Sequence, residues 1–164
     1  MRYAKIDSCE ITNGKHVGLS LYVQGCDFHC NGCFNSSTWD FNGGREWTEE
    51  TENYVLELCG KPYILRLSAL GGEPMHPLNA NDVIHLMKGF KELYPDKEIW
   101  MWTGYLFENI PNKEVLEYAD YIIDGQFKKN QKDLTLEFRG SKNQRMWKKV
   151  NGEWQIVDQK EKNI

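Results

Sequence analysis

The chain has 164 residues, 40% of them apolar, and a formal net charge of −4; that is enough apolar material for one domain's core and too short for a complete eight-unit βα barrel, which takes about 250 residues. No apolar run approaches the ~20 residues of a membrane span, and nothing in the composition requires nucleic acid as a partner. Residues 1–127 hold 10 Lys/Arg against 19 Asp/Glu and residues 128–164 hold 10 against 5, so an acidic body precedes a basic tail that reads as a solvated face or as a docking surface for an acidic partner.

Tyr3 to Ile11 reads as a short extended piece, followed by a turn at Asn13-Gly14. Leu19 to Gln24 is an apolar run of strand length that stops at Gly25, and Cys26, Cys30 and Cys33 follow at once. Thr48, with Glu49, Glu50 and Glu52 behind it, predicts a helix that runs to Cys59 and stops at Gly60. Tyr63 to Leu70 is the next strand, ended by Gly71-Gly72-Glu73-Pro74. Asn79 to Tyr94 sets Val83, Ile84, Leu86, Met87, Phe90 and Leu93 on one helical face, and Pro95 closes it. Glu98 to Thr103 is a third strand, Lys113 to Ala119 a short helix capped by Asn112, and Tyr121 to Asp124 a fourth strand. Met146 to Val150 and Glu153 to Val157, joined by Asn151-Gly152, carry the signal of a type I′ hairpin.

Strands alternating with helices predict a parallel sheet with right-handed crossovers. With too few units to close a ring, the fold class expected is α/β, a partial (open) βα barrel with a C-terminal β-hairpin. No Pro/Gly/Ser linker and no repeat divides the chain, so 1–164 is expected to be a single domain. The thiol loop, Gly71 to Pro74, Gly104-Tyr105 and Gly125-Gln126-Phe127 then all fall at one rim, where the strands end.

Cys-x3-Cys-x2-Cys supplies three ligands, whereas a cube of four irons and four sulfides has four irons to hold, so one iron is left open. A structural zinc site competes, with His29, His16 or His76 as a fourth ligand. A plain electron-transfer cluster would need Cys9 or Cys59, neither of which has ferredoxin spacing. Five Cys is an odd number and no signal peptide precedes them, so the thiols are expected to be reduced and the chain cytoplasmic. The Gly71-Gly72 pair reads either as a simple turn or as backbone that a ligand can approach closely.

The three-Cys loop followed by Gly-Gly-Glu-Pro after the next strand resembles the radical S-adenosylmethionine enzymes. Asn13-Gly14, Gly25 to Asn35, Trp102 to Tyr105, Asp124 to Phe127 and Arg139-Gly140-Ser141-Lys142-Asn143-Gln144-Arg145 narrow the resemblance to the activases that install a glycyl radical, and within these to those of anaerobic (class III) ribonucleotide reductases. The resemblance implies that Cys26, Cys30 and Cys33 ligate a catalytic [4Fe-4S] cluster whose open iron takes the amino and carboxylate groups of S-adenosylmethionine. It also implies cofactor contacts from Gly32, Cys33, Phe34, Gly71, Gly72 and Glu73. The partners implied are the reductase large subunit and a low-potential donor such as flavodoxin or ferredoxin. Activation of another glycyl radical enzyme such as pyruvate formate-lyase, radical modification of a small molecule, and a zinc-stabilised interaction module stand as alternatives.

The chain departs from the resemblance at Gly32, where many radical enzymes have an aromatic, and at His16 and Gly18, where related activases often have a Gly and an Arg. His29 is a candidate to tune the cluster or a solvent-facing histidine. Trp102 and Tyr105 are candidate cavity walls, and Asp124 a ligand for a ribose or a backbone amide. Cys9 and Cys59 read as small buried apolar residues. Arg139 and Arg145 are read as partner interface or, alternatively, as clamps on the hairpin.

Overall fold

The computed structural model describes residues 1–157, so residues 158–164, the end of the basic tail and of the expected 1–164 domain, lie outside the described residues. Within the described residues eight strands, β1 (Arg2–Glu10), β2 (Gly18–Gln24), β3 (Arg45–Glu46), β4 (Arg66–Gly71), β5 (Glu98–Trp102), β6 (Tyr121–Asp124), β7 (Arg145–Val150) and β8 (Glu153–Ile156), form one open sheet in the order β3-β1-β2-β4-β5-β6-β7-β8. The middle four, β2, β4, β5 and β6, are parallel as expected. The sheet as a whole is mixed, because β1 and β3 add antiparallel strands at one edge and β7 and β8 at the other. The hairpin thus extends the sheet from β6. Asn151 and Gly152 both take positive φ, +52° and +82°, as a type I′ turn demands.

Among the described residues three α-helices, α1 (Glu49–Cys59), α2 (Ala80–Leu93) and α3 (Val115–Tyr118), lie in the crossovers. Thr48 caps α1 by accepting from Thr51 N at 3.2 Å, and α2 buries Val83, Ile84, Leu86, Met87 and Phe90 at helical spacing. The second core strand begins at Arg66 rather than Tyr63, because Ile64 N bonds Lys61 O and closes a turn there. Along one sheet face Leu21, Ala69, Met101 and Ile122 stand in register and share a core with Val55, Cys59, Met87 and Phe90; each such side chain contributes roughly 1.5–3 kcal/mol by burial.

The opposite face is different in kind: Ser20, Ser68, Trp100 and Tyr121 make up the next register row. Where the strands start, Arg66 has no exposed surface. Its Nη1 donates to Glu10 Oε1 at 2.7 Å and to Ser68 Oγ at 2.8 Å, its Nε to Lys15 O at 2.9 Å, and its Nη2 to the carbonyls of Glu10 and His16 at 3.3 Å. Burial alone would raise the Glu10 pKa; Arg66, Ser20 and the Asn13 N–H outweigh it and hold the carboxyl at about 2. His16 and Gly18 leave their loop without an arginine, and the guanidinium packed beneath that loop comes from β4 instead.

Candidate functional site

Because β2, β4, β5 and β6 are parallel neighbours, the loops that leave them share one edge of the sheet. They surround a cavity of about 380 Å³ lined by Cys26, Cys30, Cys33 and Phe34 from the first loop, Gly71, Gly72 and Glu73 from the second, Trp102, Thr103 and Gly104 from the third, and Gly125, Gln126 and Phe127 from the fourth. Seven of the eight predicted site residues are therefore brought together. The exception is Gly32, an exposed residue in contact range of Lys129 and Phe127 rather than part of the lining.

The thiol loop is pinned where it leaves β2: Gly25 N donates to Thr38 O at 2.7 Å and Cys26 N to Trp39 O at 3.1 Å. Cys33 N closes a turn on Cys30 O at 3.0 Å, and Asn35 N lies 3.4 Å from Cys33 Sγ as a donor to the sulfur. Burial pushes the Cys26 thiol up to about 11 and the Cys30 thiol up as well, so metal binding here must release protons. Among the described residues no three His, Cys, Asp or Glu side chains converge on a point that one metal ion would occupy. The donor set fits a cluster, in which each thiolate meets a different iron, better than a tetrahedral zinc site. The histidines agree. His76 uses both ring nitrogens, Nε2 on Asp27 at 2.7 Å and Nδ1 as acceptor from Leu78 N at 3.1 Å, and His16 sits at the start of β2 while the thiols follow its end.

The second loop has a different logic from the one expected. A Cβ on Gly72 would come within 2.5 Å of Gly25 O, and Gly72 N and Glu73 N donate to Val23 O and Gly25 O, both at 2.8 Å. Gly72 is thus required by contact with the backbone that leads into Cys26, whatever ligand the loop meets. Glu73 is 2% exposed, and its carboxylate accepts from Gly104 N at 2.6 Å, Thr103 Oγ1 at 2.7 Å and Met75 N at 2.9 Å. Burial raises its pKa to about 7 against those three donors. It ties the second loop to the third and keeps about one acceptor position in reserve.

The profile of the 4Fe-4S single cluster domain matches residues 12–147, which span the thiols and the whole cavity lining. The chain is similar to the anaerobic ribonucleoside-triphosphate reductase-activating proteins of Enterobacteria phage T4 (40% identical over 94% of this chain and 98% of that protein), Vibrio cholerae (38%, 88% and 96%) and Escherichia coli K12 (35%, 88% and 96%). The chain belongs to this family. Membership in a four-iron cluster family removes the zinc-stabilised module as a reading of the thiols.

The remaining candidate residues of this activating-protein homologue mostly follow one of the readings the sequence offered, with Tyr105 and Cys9 as exceptions. His29 is exposed and stacks on Trp39, with ring centroids 4.5 Å apart. Tyr105 packs edge-on against Phe28 outside the lining, whereas Trp102 lines the cavity and donates to Phe138 O at 2.7 Å. Asp124 is fully buried and takes the backbone-amide option, accepting from Phe107 N at 2.7 Å and from the Arg145 guanidinium. Cys59 is buried in the core as expected, but Cys9 is exposed on β1. Asn79 was missed altogether. Predicted to open α2, it makes no cap bond there, and its buried amide donates instead to the carbonyls of Gln24, Gly25 and Glu73, locking the first two loops together. An Asn before an apolar periodic run looks like a cap, and only the fold shows three carbonyls around it. No helix among the described residues is long and apolar enough to cross a membrane.

Proposed function

We propose that this chain is a glycyl-radical activase of the radical S-adenosylmethionine type serving an anaerobic ribonucleotide reductase, with Cys26, Cys30 and Cys33 as ligands of its [4Fe-4S] cluster. The observation that carries the reading is that these thiols and the Gly71-Gly72-Glu73 loop line one cavity at the edge where four parallel strands end. The cluster these thiols would hold would supply the electron for reductive cleavage of the C5′–S bond of S-adenosylmethionine, the chemistry that would let a hydrogen be taken from a glycine α-carbon of the reductase. The residues of this chain bind and orient. Glu73, with its reserve acceptor position, would accept from the amino group of the cofactor, Phe34 and Trp102 would offer apolar faces to the adenine, and the surrounding loops would limit access of bulk water.

We read the open sheet as a partial barrel and the chain as one domain, with the reductase large subunit completing the wall around its own glycine. The electron comes from a low-potential carrier such as flavodoxin or ferredoxin, and a reduced cytoplasm suits the free thiols. Anaerobic reconstitution tests the reading: about four irons and four sulfides per chain, and reductant-driven cleavage of S-adenosylmethionine to equal amounts of methionine and 5′-deoxyadenosine. A complete cluster with no cleavage would overturn it.

A further inference from the structure

Most of the segment Arg139 to Arg145 has its polar groups used inside the protein, whereas the guanidinium of Arg139 is used only in part. Ser141 Oγ accepts from Lys128 N at 3.1 Å, Asn143 Nδ2 donates to Gln126 O at 2.7 Å, and Gln144 Nε2 donates to Gly125 O at 3.0 Å. Gln144 Oε1 accepts from Gly140 N and Ser141 N. These bonds knot the segment onto the loop after β6. Arg145 pairs with buried Asp124 and with Glu108 Oε2 at 2.9 Å, and lies over the Trp147 ring. Arg139 differs. It lines the cavity, yet only its Nη1 has a partner, Gln144 O at 3.3 Å, while Nε and Nη2 are buried with none among the described residues.

A half-buried guanidinium whose Nε and Nη2 are themselves buried and unmade is costly, and the shape of that fork matches a carboxylate through two parallel bonds. Among the described residues none is supplied here. Of the buried carboxylates beside the cavity, Glu73 is engaged by Gly104, Thr103 and Met75, and Asp124 by Arg145 and Phe107.

We propose that Arg139 is a carboxylate receptor in the wall of the cavity, whose ligand arrives from outside the chain. This rests on the function proposed above, which offers two sources of that chemistry: the amino-acid carboxylate of S-adenosylmethionine, or a carboxylate on the reductase segment that brings the glycine in. Arg139 is a positioning residue in either case.

The test compares wild type, Arg139→Met and Arg139→Lys, each with a complete cluster, in three measurements. The first is thermal unfolding without ligand. Replacing an uncompensated half-buried charge by an apolar chain of similar length leaves the melting temperature of Arg139→Met equal to or above that of the wild type; a fall of several degrees would make Arg139 a structural clamp and overturn the inference. The second is affinity for S-adenosylmethionine against its decarboxylated analogue. If the cofactor is the source, the preference for the carboxylate form shrinks about tenfold or more in both variants, since lysine keeps the charge but not the fork. The third is affinity for the reductase large subunit. If the reductase is the source, the cofactor preference is unchanged and reductase binding weakens about tenfold or more. Unchanged affinities in both arms overturn the inference. Failure of the function itself is read separately, in a wild type that holds its cluster and cleaves nothing.

Discussion

Two arginines stand on the same side of the sheet, one where the parallel strands begin and one where they end, and they differ in what surrounds them. Arg66 has all three nitrogens engaged and a carboxylate, Glu10, against it. Arg139 has one weak bond and two orphaned donors. The first end is a finished piece of interior, with Trp100 stacked on Tyr121 at 4.0 Å beneath the same loop. The second is a cavity with thiols in its wall. A saturated buried charge marks structure, and an unsaturated one marks where something else must arrive.

The comparison can be broken most severely at the mouth. Cys26→Ala, Cys30→Ala and Cys33→Ala should each abolish the cluster, measured as iron and sulfide content after anaerobic reconstitution; a normal cluster in any one of them removes that residue from the ligand set. At the closed end, Arg66→Ala leaves Glu10 without its buried partner and should cost roughly 3–5 kcal/mol, read from denaturant unfolding, opposite in sign to the effect predicted for Arg139→Met. The same pair sets an acid dependence. Glu10 is held at about 2 against an ordinary value of 4.5, so the stability it contributes is fully present above pH 4.5 and is lost as pH falls toward 2. In Glu10→Gln that acid-sensitive portion should be missing; an unchanged acid-unfolding curve would mean that the ion pair does not set it.

Gly72→Val sharpens the contrast between loops that bind and loops that hold. The added side chain meets Gly25 O, so stability should fall by roughly 1–3 kcal/mol and cluster content with it. Loss of cofactor binding with the cluster and stability intact would return Gly72 to a purely ligand-facing role. The smallest effects belong to the remaining thiols. Cys59→Ser places a hydroxyl in the core and should cost ~1 kcal/mol, exposed Cys9→Ser almost nothing, and both should keep full iron content.

Much of the mouth was legible because its chemistry is local. Thiol spacing and the glycine pair at a strand end are patterns of a few adjacent residues, as is Asn151-Gly152, both at positive φ, at the opposite end of the sheet. What escaped were partnerships across long stretches of chain. Arg66 and Glu10 meet 56 residues apart, and nothing in the spacing of either announces the other. Asn79 was read only as the first residue of a helix until three carbonyls were seen around it, and Glu73 was read as a cofactor contact until Gly104, Thr103 and Met75 were found on it. Cys9 was assigned to the interior on residue type alone; it lies on a strand bordered over only part of its length by β3. The expectation of a partial barrel came from counting units, whereas the long mixed sheet depended on strands at both chain ends adding antiparallel.

The central claim, that the cavity delivers a radical to a glycine of the anaerobic ribonucleotide reductase, is tested most directly by hydrogen transfer. The reductase large subunit is prepared with glycine deuterated at the α-carbon and incubated anaerobically with this protein, reductant and S-adenosylmethionine, and both the radical and the cleavage product are examined. The account predicts a glycyl radical by electron paramagnetic resonance and deuterium in the 5′-deoxyadenosine. A complete cluster that yields 5′-deoxyadenosine without deuterium and no radical on the reductase would contradict it.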